Sequence, residues 1–351
     1  MEFKPLTPLS KPTVLLVHGD TRTIRHEQWN RVQQKFNILT YDCIDADEFC
    51  KRLAPGGTYC NINAIVRTGW RKAEPYASHF LYTAEVAKHY PPSLKLIVSS
   101  GHGHDEADMD TLTRMGIWYC NTPDTCTEAV ANTALYLILS AYRHFTFAEY
   151  CARNDWALSR SLGMKTVDPL GSMLGIVGLG DIGTSIARKA ALGLGMKLCY
   201  FNRRRDVERE RQVGADISYC ESLAELLKNS DCVVLACPYT ASTHHMLSTK
   251  EFALAKEGGM RIVNIARGRL IDEAALLQAI KDERVTGVGL DVHENEPGIN
   301  EGWSGDYMAT VLPHIGVCSK TSWDGFEKGC WDNAEAFFDT GKPLTPVNSI
   351  V

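Results

Sequence analysis

The chain has little that would mark a stapled, metal-held or membrane-embedded protein. Its twelve cysteines, scattered through 351 residues from Cys43 to Cys330, contain no C-x-x-C pair and no regular framework. They are too dilute for a small disulfide scaffold and are expected to be reduced, mostly buried thiols of a cytoplasmic protein. Without clustered ligands, no metal site is expected. No apolar run approaches the roughly 20 residues of a membrane span, and the start, Met1 to Pro5, lacks the charged-then-apolar pattern of a secretory leader. Positive charge is also short: 37 Lys and Arg against 42 Asp and Glu leave a net charge of −5, which argues against general binding to nucleic acid or membrane surfaces. Internal repeats and low-complexity tracts are missing too. What remains is an ordinary globular composition, 44% hydrophobic and 23% charged. At about 150 residues per domain, the length allows two or three domains.

Short apolar runs alternate with helical patterns from near the N-terminus: Val14 to Val17, Ala64 to Val66 and Leu94 to Val98 are bounded by turn residues. That rhythm predicts a parallel sheet with crossover helices. From Thr127 to about Arg153 the chain reads as one long helix whose middle, Ala134 to Leu139, is nearly all apolar. Burial at a domain or subunit interface is expected of such a helix. A second α/β series follows, with strands at Met173 to Val177, Leu198 to Phe201, Cys232 to Leu235, Ile262 to Ile265 and Val288 to Asp291. Asp272 reads as an N-cap, and a final helix spans about Ser322 to Thr340.

Gly178-Leu179-Gly180-Asp181-Ile182-Gly183 follows a predicted strand and opens a predicted helix. In that context the first glycine makes a tight turn, the second admits a pyrophosphate and the third allows close helix packing, with the phosphates at the helix N-terminus. An NAD site usually carries an acidic residue about 20 positions on, to bind the ribose 2′-hydroxyl. Here that place falls on Asn202, followed by Arg203, Arg204 and Arg205. A neutral residue beside guanidiniums suits a 2′-phosphate, so NADP is the preferred cofactor and NAD a possible one. The competing reading is a solvated charged run opening a helix with Asp206, Glu208 and Glu210.

Three residues then stand in contexts that suit hydride transfer: Arg267 in Val263 to Gly268, Glu296 in Asp291 to Pro297, and His314 in Leu312 to Gly316. A guanidinium can grip a carboxylate and polarise a carbonyl, an imidazole can deliver a proton, and a carboxylate can stabilise the charged imidazole. Taken singly, Arg267 reads as a salt-bridge partner and His314 as a loop histidine. In this order, with the glycine loop, Asp272 to Leu276, Gly287 to Val292 and Glu296-Pro297, the chain resembles the D-isomer-specific 2-hydroxyacid dehydrogenases over nearly its whole length. Within that family it is most similar to the fungal-type, NADP-dependent members like D-mandelate dehydrogenase, through Pro92 to Lys95, Ala134 to Ser140 and Asp291 to Glu294.

The resemblance implies two doubly wound α/β domains. A flavodoxin-like substrate domain, 1–128 completed by 319–351, would carry an inserted Rossmann nucleotide domain, 129–318, with the active site in the cleft between them. Arg267, Glu296 and His314 would be catalytic, with Arg267 and His314 also binding substrate. Asp291 would hold the nicotinamide carboxamide, and Cys237, Pro238, Thr243, Ile265, Ala266 and Gly316 would line the cofactor. Backbone N–H groups of the turn Gly101-His102-Gly103 would grip the substrate carboxylate, and Arg67 would reach the substrate. His102 and His104 read as shapers of the pocket wall rather than metal ligands. The implied activity is reduction of 2-keto acids to D-2-hydroxy acids by NADPH, on bulky or aromatic substrates such as phenylglyoxylate, in a homodimer. A glyoxylate or hydroxypyruvate reductase is the alternative enzyme, and a dinucleotide-sensing scaffold the alternative outside enzymes.

Overall fold

The computed structural model describes residues 11–17, 26–69, 80–305 and 308–350 of the chain. The start, Met1 to Pro5, lies outside them. Two compact units are formed, Met1–Cys126 with Cys318–Val351, and Thr127–Val317.

The first unit is built on runs such as Ala64-Ile65-Val66-Arg67, in which every residue is buried. Runs without polar alternation belong in a sheet covered on both faces, which is the condition of parallel strands. The strands are β1 (Thr13–Val17), β2 (Asn37–Thr40), β3 (Ala64–Arg67), β4 (Leu96–Ser99) and β5 (Trp118–Cys120), in spatial order β2-β1-β3-β4-β5. All pairings are parallel. This is the flavodoxin-like doubly wound order. The C-terminal helix Lys320–Thr340 completes this unit's core: Trp331 is fully buried there and meets Phe36 at 6.2 Å and Trp29 at 6.1 Å between ring centroids. Truncating such a tryptophan typically costs about 3–5 kcal/mol.

The second unit holds β6 (Met173–Val177), β7 (Lys197–Phe201), β8 (Ile217–Tyr219), β9 (Cys232–Leu235), β10 (Met260–Asn264), β11 (Val285–Leu290) and β12 (Thr310–Val311). They lie in the order β12-β11-β10-β9-β6-β7-β8, all parallel. The chain direction across the sheet reverses between β6 and β9, the place where a Rossmann sheet opens a crevice at its carboxyl edge.

One expected element is corrected. The helix predicted from Thr127 to Arg153 is two helices, Thr127–Arg143 and Phe145–Arg153, broken at His144. His144 has φ +50°, a left-handed conformation that ends the ladder, and its ring is drawn inward to Met308 O at 3.1 Å. The first helix packs its apolar middle, including Ala134, Leu137 and Ile138, on β10 and β11. Among the described residues no helix is long and apolar enough to cross a membrane.

Candidate active site

Parallel strands all end on one edge of a sheet, so loops that follow neighbouring strands gather there. In the second unit β10, β11 and β12 are neighbours, and Arg267, Glu296 and His314 follow their ends at Asn264, Leu290 and Val311. Residues 47 positions apart in sequence, Arg267 and His314, thus belong to one edge.

The His314 and Glu296 side chains meet directly: Nδ1 lies 2.8 Å from Glu296 Oε2, with side-chain exposures of 15% and 27%. A carboxylate oxygen accepts, so Nδ1 is the donor and the tautomer is set by this bond. The other oxygen, Oε1, accepts the backbone N–H of His293 at 3.0 Å, which fixes the rotation of the carboxylate. His314 itself has φ +54°, rarely adopted by residues with a Cβ and a recurrent feature of functional sites.

Arg267 sits on a turn shaped by the buried side chain of Asn264. The Asn264 amide donates to Arg267 O at 2.8 Å while its oxygen accepts Ala266 N at 3.0 Å. Arg267 Nη1 donates to Ala266 O at 2.8 Å. The next residue must be glycine: a Cβ on Gly268 would lie 1.9 Å from the backbone carbon of His293. This close approach seats the arginine turn against the loop that carries Glu296. Sequence reading assigned neither Asn264 nor Gly268, although both lie within the motif around Arg267.

Asp291 takes a task that sequence reading did not assign. Its carboxylate, 1% exposed, accepts Ile315 N at 2.7 Å and Gly316 N at 2.8 Å, and so holds the turn of His314. Ile265, Ala266 and Gly316 lie on the same sheet edge, as do Cys237 and Pro238 after β9. Thr243 closes the turn after Pro238, donating to Pro238 O at 3.1 Å and accepting Thr240 N at 2.8 Å. Burial pushes the Cys237 thiol up to about 11.

The glycine loop fits a dinucleotide. Gly178 has φ +103°, and a Cβ there would lie 2.7 Å from Ala236 O, so the turn between β6 and its helix admits no side chain. Above Gly180 nothing lies within 4 Å of a Cβ position, which leaves the backbone open to a diphosphate. Asp181, Ile182 and Gly183 begin the helix Asp181–Leu194. At the end of β7, Asn202 Oδ1 accepts Leu179 N at 2.9 Å. Arg205 is committed to Glu210 through two bonds at 2.8 and 3.0 Å. Arg203 and Arg204 are exposed and have no carboxylate partner among the described residues.

In the first unit, Gly101 has φ +99° and its N–H donates to Thr122 Oγ1 at 2.9 Å. The His102 carbonyl accepts from Asn121 Nδ2 at 2.8 Å, so both ends of the turn are anchored while the N–H groups of His102 and Gly103 make no bond among the described residues. His102 and His104 are exposed, and no group of three or more possible metal ligands forms among the described residues. Arg67 is buried: Nε donates to Ser99 Oγ at 3.0 Å, Nη1 pairs with Glu106 at 2.9 Å, and the guanidinium lies over Tyr82 at 5.1 Å.

Residues 135–316 match the family model of the D-isomer specific 2-hydroxyacid dehydrogenase NAD binding domain. The whole chain is similar to the crystallised holo form of D-mandelate dehydrogenase from Rhodotorula graminis, at 34% identity and a TM-score of 0.89 over 98% of this chain and 99% of that one. A glyoxylate reductase structure from Paecilomyes thermophila gives 30% identity and a TM-score of 0.84, covering 97% and 99%. The 4-methyl-2-oxopentanoate reductase A of Aspergillus oryzae is 32% identical over 96% of this chain and 98% of its own length. With its Rossmann unit, glycine loop and His–Glu pair at the carboxyl edge, the chain belongs to the D-isomer specific 2-hydroxyacid dehydrogenases, oxidoreductases that use a nicotinamide dinucleotide.

Proposed function

We propose that this protein reduces 2-keto acids to D-2-hydroxy acids with NADPH, and catalyses the reverse oxidation, through Arg267, Glu296 and His314. The observation that carries the reading is the 2.8 Å bond between His314 Nδ1 and Glu296 Oε2. With Nδ1 donating to a carboxylate, Nε2 is the ring atom that exchanges a proton with substrate. When bound, the reduced nicotinamide supplies the hydride that adds to the carbonyl carbon. His314 gives its Nε2 proton to the carbonyl oxygen as the C=O double bond becomes a C–O single bond, and Glu296 stabilises the imidazolium before that transfer. Arg267 offers the planar fork that suits a carboxylate and its neighbouring carbonyl.

The N–H groups of His102 and Gly103 form a small anion nest for the substrate carboxylate. Arg67 supports that part of the fold, its bonds to Ser99 and Glu106 favouring a role in shaping the substrate pocket. Asn202 with Arg203 and Arg204 favours NADP over NAD, because no carboxylate stands there to repel a 2′-phosphate. Asp291 adds to its hold on the His314 turn a contact to the nicotinamide carboxamide. Cys237, Pro238, Thr243, Ile265, Ala266 and Gly316 complete the cofactor wall.

Bulky substrates are favoured by the likeness to D-mandelate dehydrogenase and to 4-methyl-2-oxopentanoate reductase A. The second reading, a glyoxylate or hydroxypyruvate reductase, is favoured by the likeness to the glyoxylate reductase. Twelve cysteines, all thiols, suit a cytoplasmic enzyme. Trp156, Met164 and Leu170 are 78%, 92% and 76% exposed within one stretch of the second unit, and a second copy of this chain would cover them in a homodimer.

The test is consumption of NADPH and of NADH with phenylglyoxylate, 4-methyl-2-oxopentanoate, glyoxylate and hydroxypyruvate. Faster turnover of the first two with NADPH is expected. Preference for glyoxylate or hydroxypyruvate selects the second reading, and no turnover of any 2-keto acid returns the scaffold role. Light scattering at twice the chain mass would support the dimer.

A further inference from the structure

The left-handed turn of His314 is held on both sides. After it, the Asp291 carboxylate accepts Ile315 N and Gly316 N at 2.7 and 2.8 Å. Before it, Leu312 O lies 2.8 Å from His293 Nε2. A carbonyl oxygen only accepts, so His293 carries its proton on Nε2 and donates it there. The main-chain N–H of the same residue donates to Glu296 Oε1 at 3.0 Å. His293 therefore touches both halves of the His314–Glu296 pair, the carboxylate through its backbone and the histidine turn through its ring.

The ring is buried on its other side. His293 is 4% exposed, and its Nδ1 has no hydrogen-bond partner among the described residues. Nδ1 faces Glu273 Oε1 at 4.0 Å. That carboxylate, 2% exposed, is itself placed by Glu294 N at 2.9 Å and Trp303 Nε1 at 3.3 Å. Glu294 in turn pairs with His245 Nε2 at 2.7 Å. Among the described residues the titratable groups around His293 are thus Glu273, Glu294 and Glu296, with His245 one bond further out and Asp291 on the far side of the His314 turn.

We propose that His293 is a positioning residue for the proton transfer: its side chain holds the Leu312 to His314 segment at the distance and angle that Glu296 requires. The proposal rests on the assignment of His314 and Glu296 as the proton-transfer pair. Replacing the side chain leaves the backbone bond to Glu296 in place and removes only the link to Leu312, so the loss should be partial and confined to chemistry.

The test compares His293→Phe, which fills the space without a donor, with His293→Gln, whose amide nitrogen can donate at the position of Nε2. Melting temperature and NADPH affinity by fluorescence titration are expected to stay near wild type in both. In the Phe variant kcat should fall about tenfold, the scale of one neutral hydrogen bond, with KM little changed. Its reduction rate should also decline at lower pH than wild type, because a loosened His314 turn pairs less closely with Glu296, which then stabilises the imidazolium less. The Gln variant should recover most of the rate and the wild-type profile. Wild-type kcat and pH profile in the Phe variant, or equal impairment of Phe and Gln, overturns the proposal. Should Phe prevent folding, His293→Met takes its place. Ring resonances of His314 give a readout free of turnover: an unmoved His314 titration in the donorless variant also overturns the proposal. Absence of activity in the wild type, by contrast, would count against the proton-transfer pair.

Discussion

Arg209 Nη1 lies 2.5 Å from Asp181 Oδ1, joining the helix Val207–Val213 to the first residue of the helix after the glycine loop. Asp181 opens that helix, where a bound diphosphate would favour positive potential, and its carboxylate works against such a field. Arg209 cancels the opposing charge.

From this pairing, Arg209→Ala is expected to weaken NADPH and NADH binding alike. Both side chains are about one-third exposed, at 31% and 30%, so the effect should be modest. Roughly twofold to fivefold is the scale of a partly solvated charge. Adding Asp181→Asn should restore most of the affinity. Fluorescence titration checks this, and a double variant no tighter than Arg209→Ala would refute the charge-cancelling role.

Arg203 and Arg204 should act differently, because each is exposed and neither is spent on a carboxylate. Replacing both with alanine is expected to raise the Kd for NADPH at least tenfold, the scale of a charge-assisted hydrogen bond, while leaving NADH nearly unchanged. The NADPH effect should shrink in high salt. Equal losses for the two cofactors would exclude selection at this corner.

Arg267→Lys should reduce kcat/KM by about a hundredfold or more despite the retained charge, since an ammonium cannot present a bidentate fork. Steady-state kinetics on the best substrate suffices. A variant with near-normal turnover would remove Arg267 from the mechanism.

In the proposed mechanism reduction draws a proton from His314 and oxidation returns one, so the two directions should have opposite pH trends. Reduction is expected to slow as pH rises and oxidation to quicken. Rate profiles for both directions on one enzyme sample decide it, and parallel profiles would point to another proton donor.

Asp272 caps the helix Glu273–Lys281 by accepting Ala275 N at 3.0 Å, and that backbone bond holds its carboxyl below the usual range. Asp272→Ala should cost about 1 kcal/mol of stability near neutral pH. Because the folded group is the stronger acid, its contribution is full above the ordinary carboxylate value of about 4 and is lost as pH falls through the lowered one. Melting curves of wild type and variant should therefore converge on acidification, and a gap that stays constant down to acidic pH would contradict the sign.

Much of this architecture is legible from residues alone, in a pattern that has a physical cause. The strands anticipated from sequence, such as Val14 to Val17 and Cys232 to Leu235, are central ones, buried on both faces and marked by unbroken apolar runs. The four strands that sequence reading missed, β2, β5, β8 and β12, are the edges of the two sheets. Edge strands are short and partly solvated, and Asn37-Ile38-Leu39-Thr40 or Thr310-Val311 carries too little apolar signal to stand out. The break at His144 was hidden for a related reason. Nothing local forbids a helix there, and the ring's bond to Met308 is a contact across 164 positions.

By itself the sequence determined which chemical groups are available: a guanidinium, a carboxylate and an imidazole at loop positions, a glycine turn for phosphates, and cations where an acid would select NAD. These are set by residue type and short spacing. Only the tertiary structure decided how the groups are used. It turned Asp291 and His293 onto the His314 segment, tied Arg205 to Glu210 and Arg209 to Asp181, and left Arg203 and Arg204 to the solvent. Such choices rest on distance and direction between side chains from separate strands and helices, and those quantities exist only once the sheet has brought its loops to one edge.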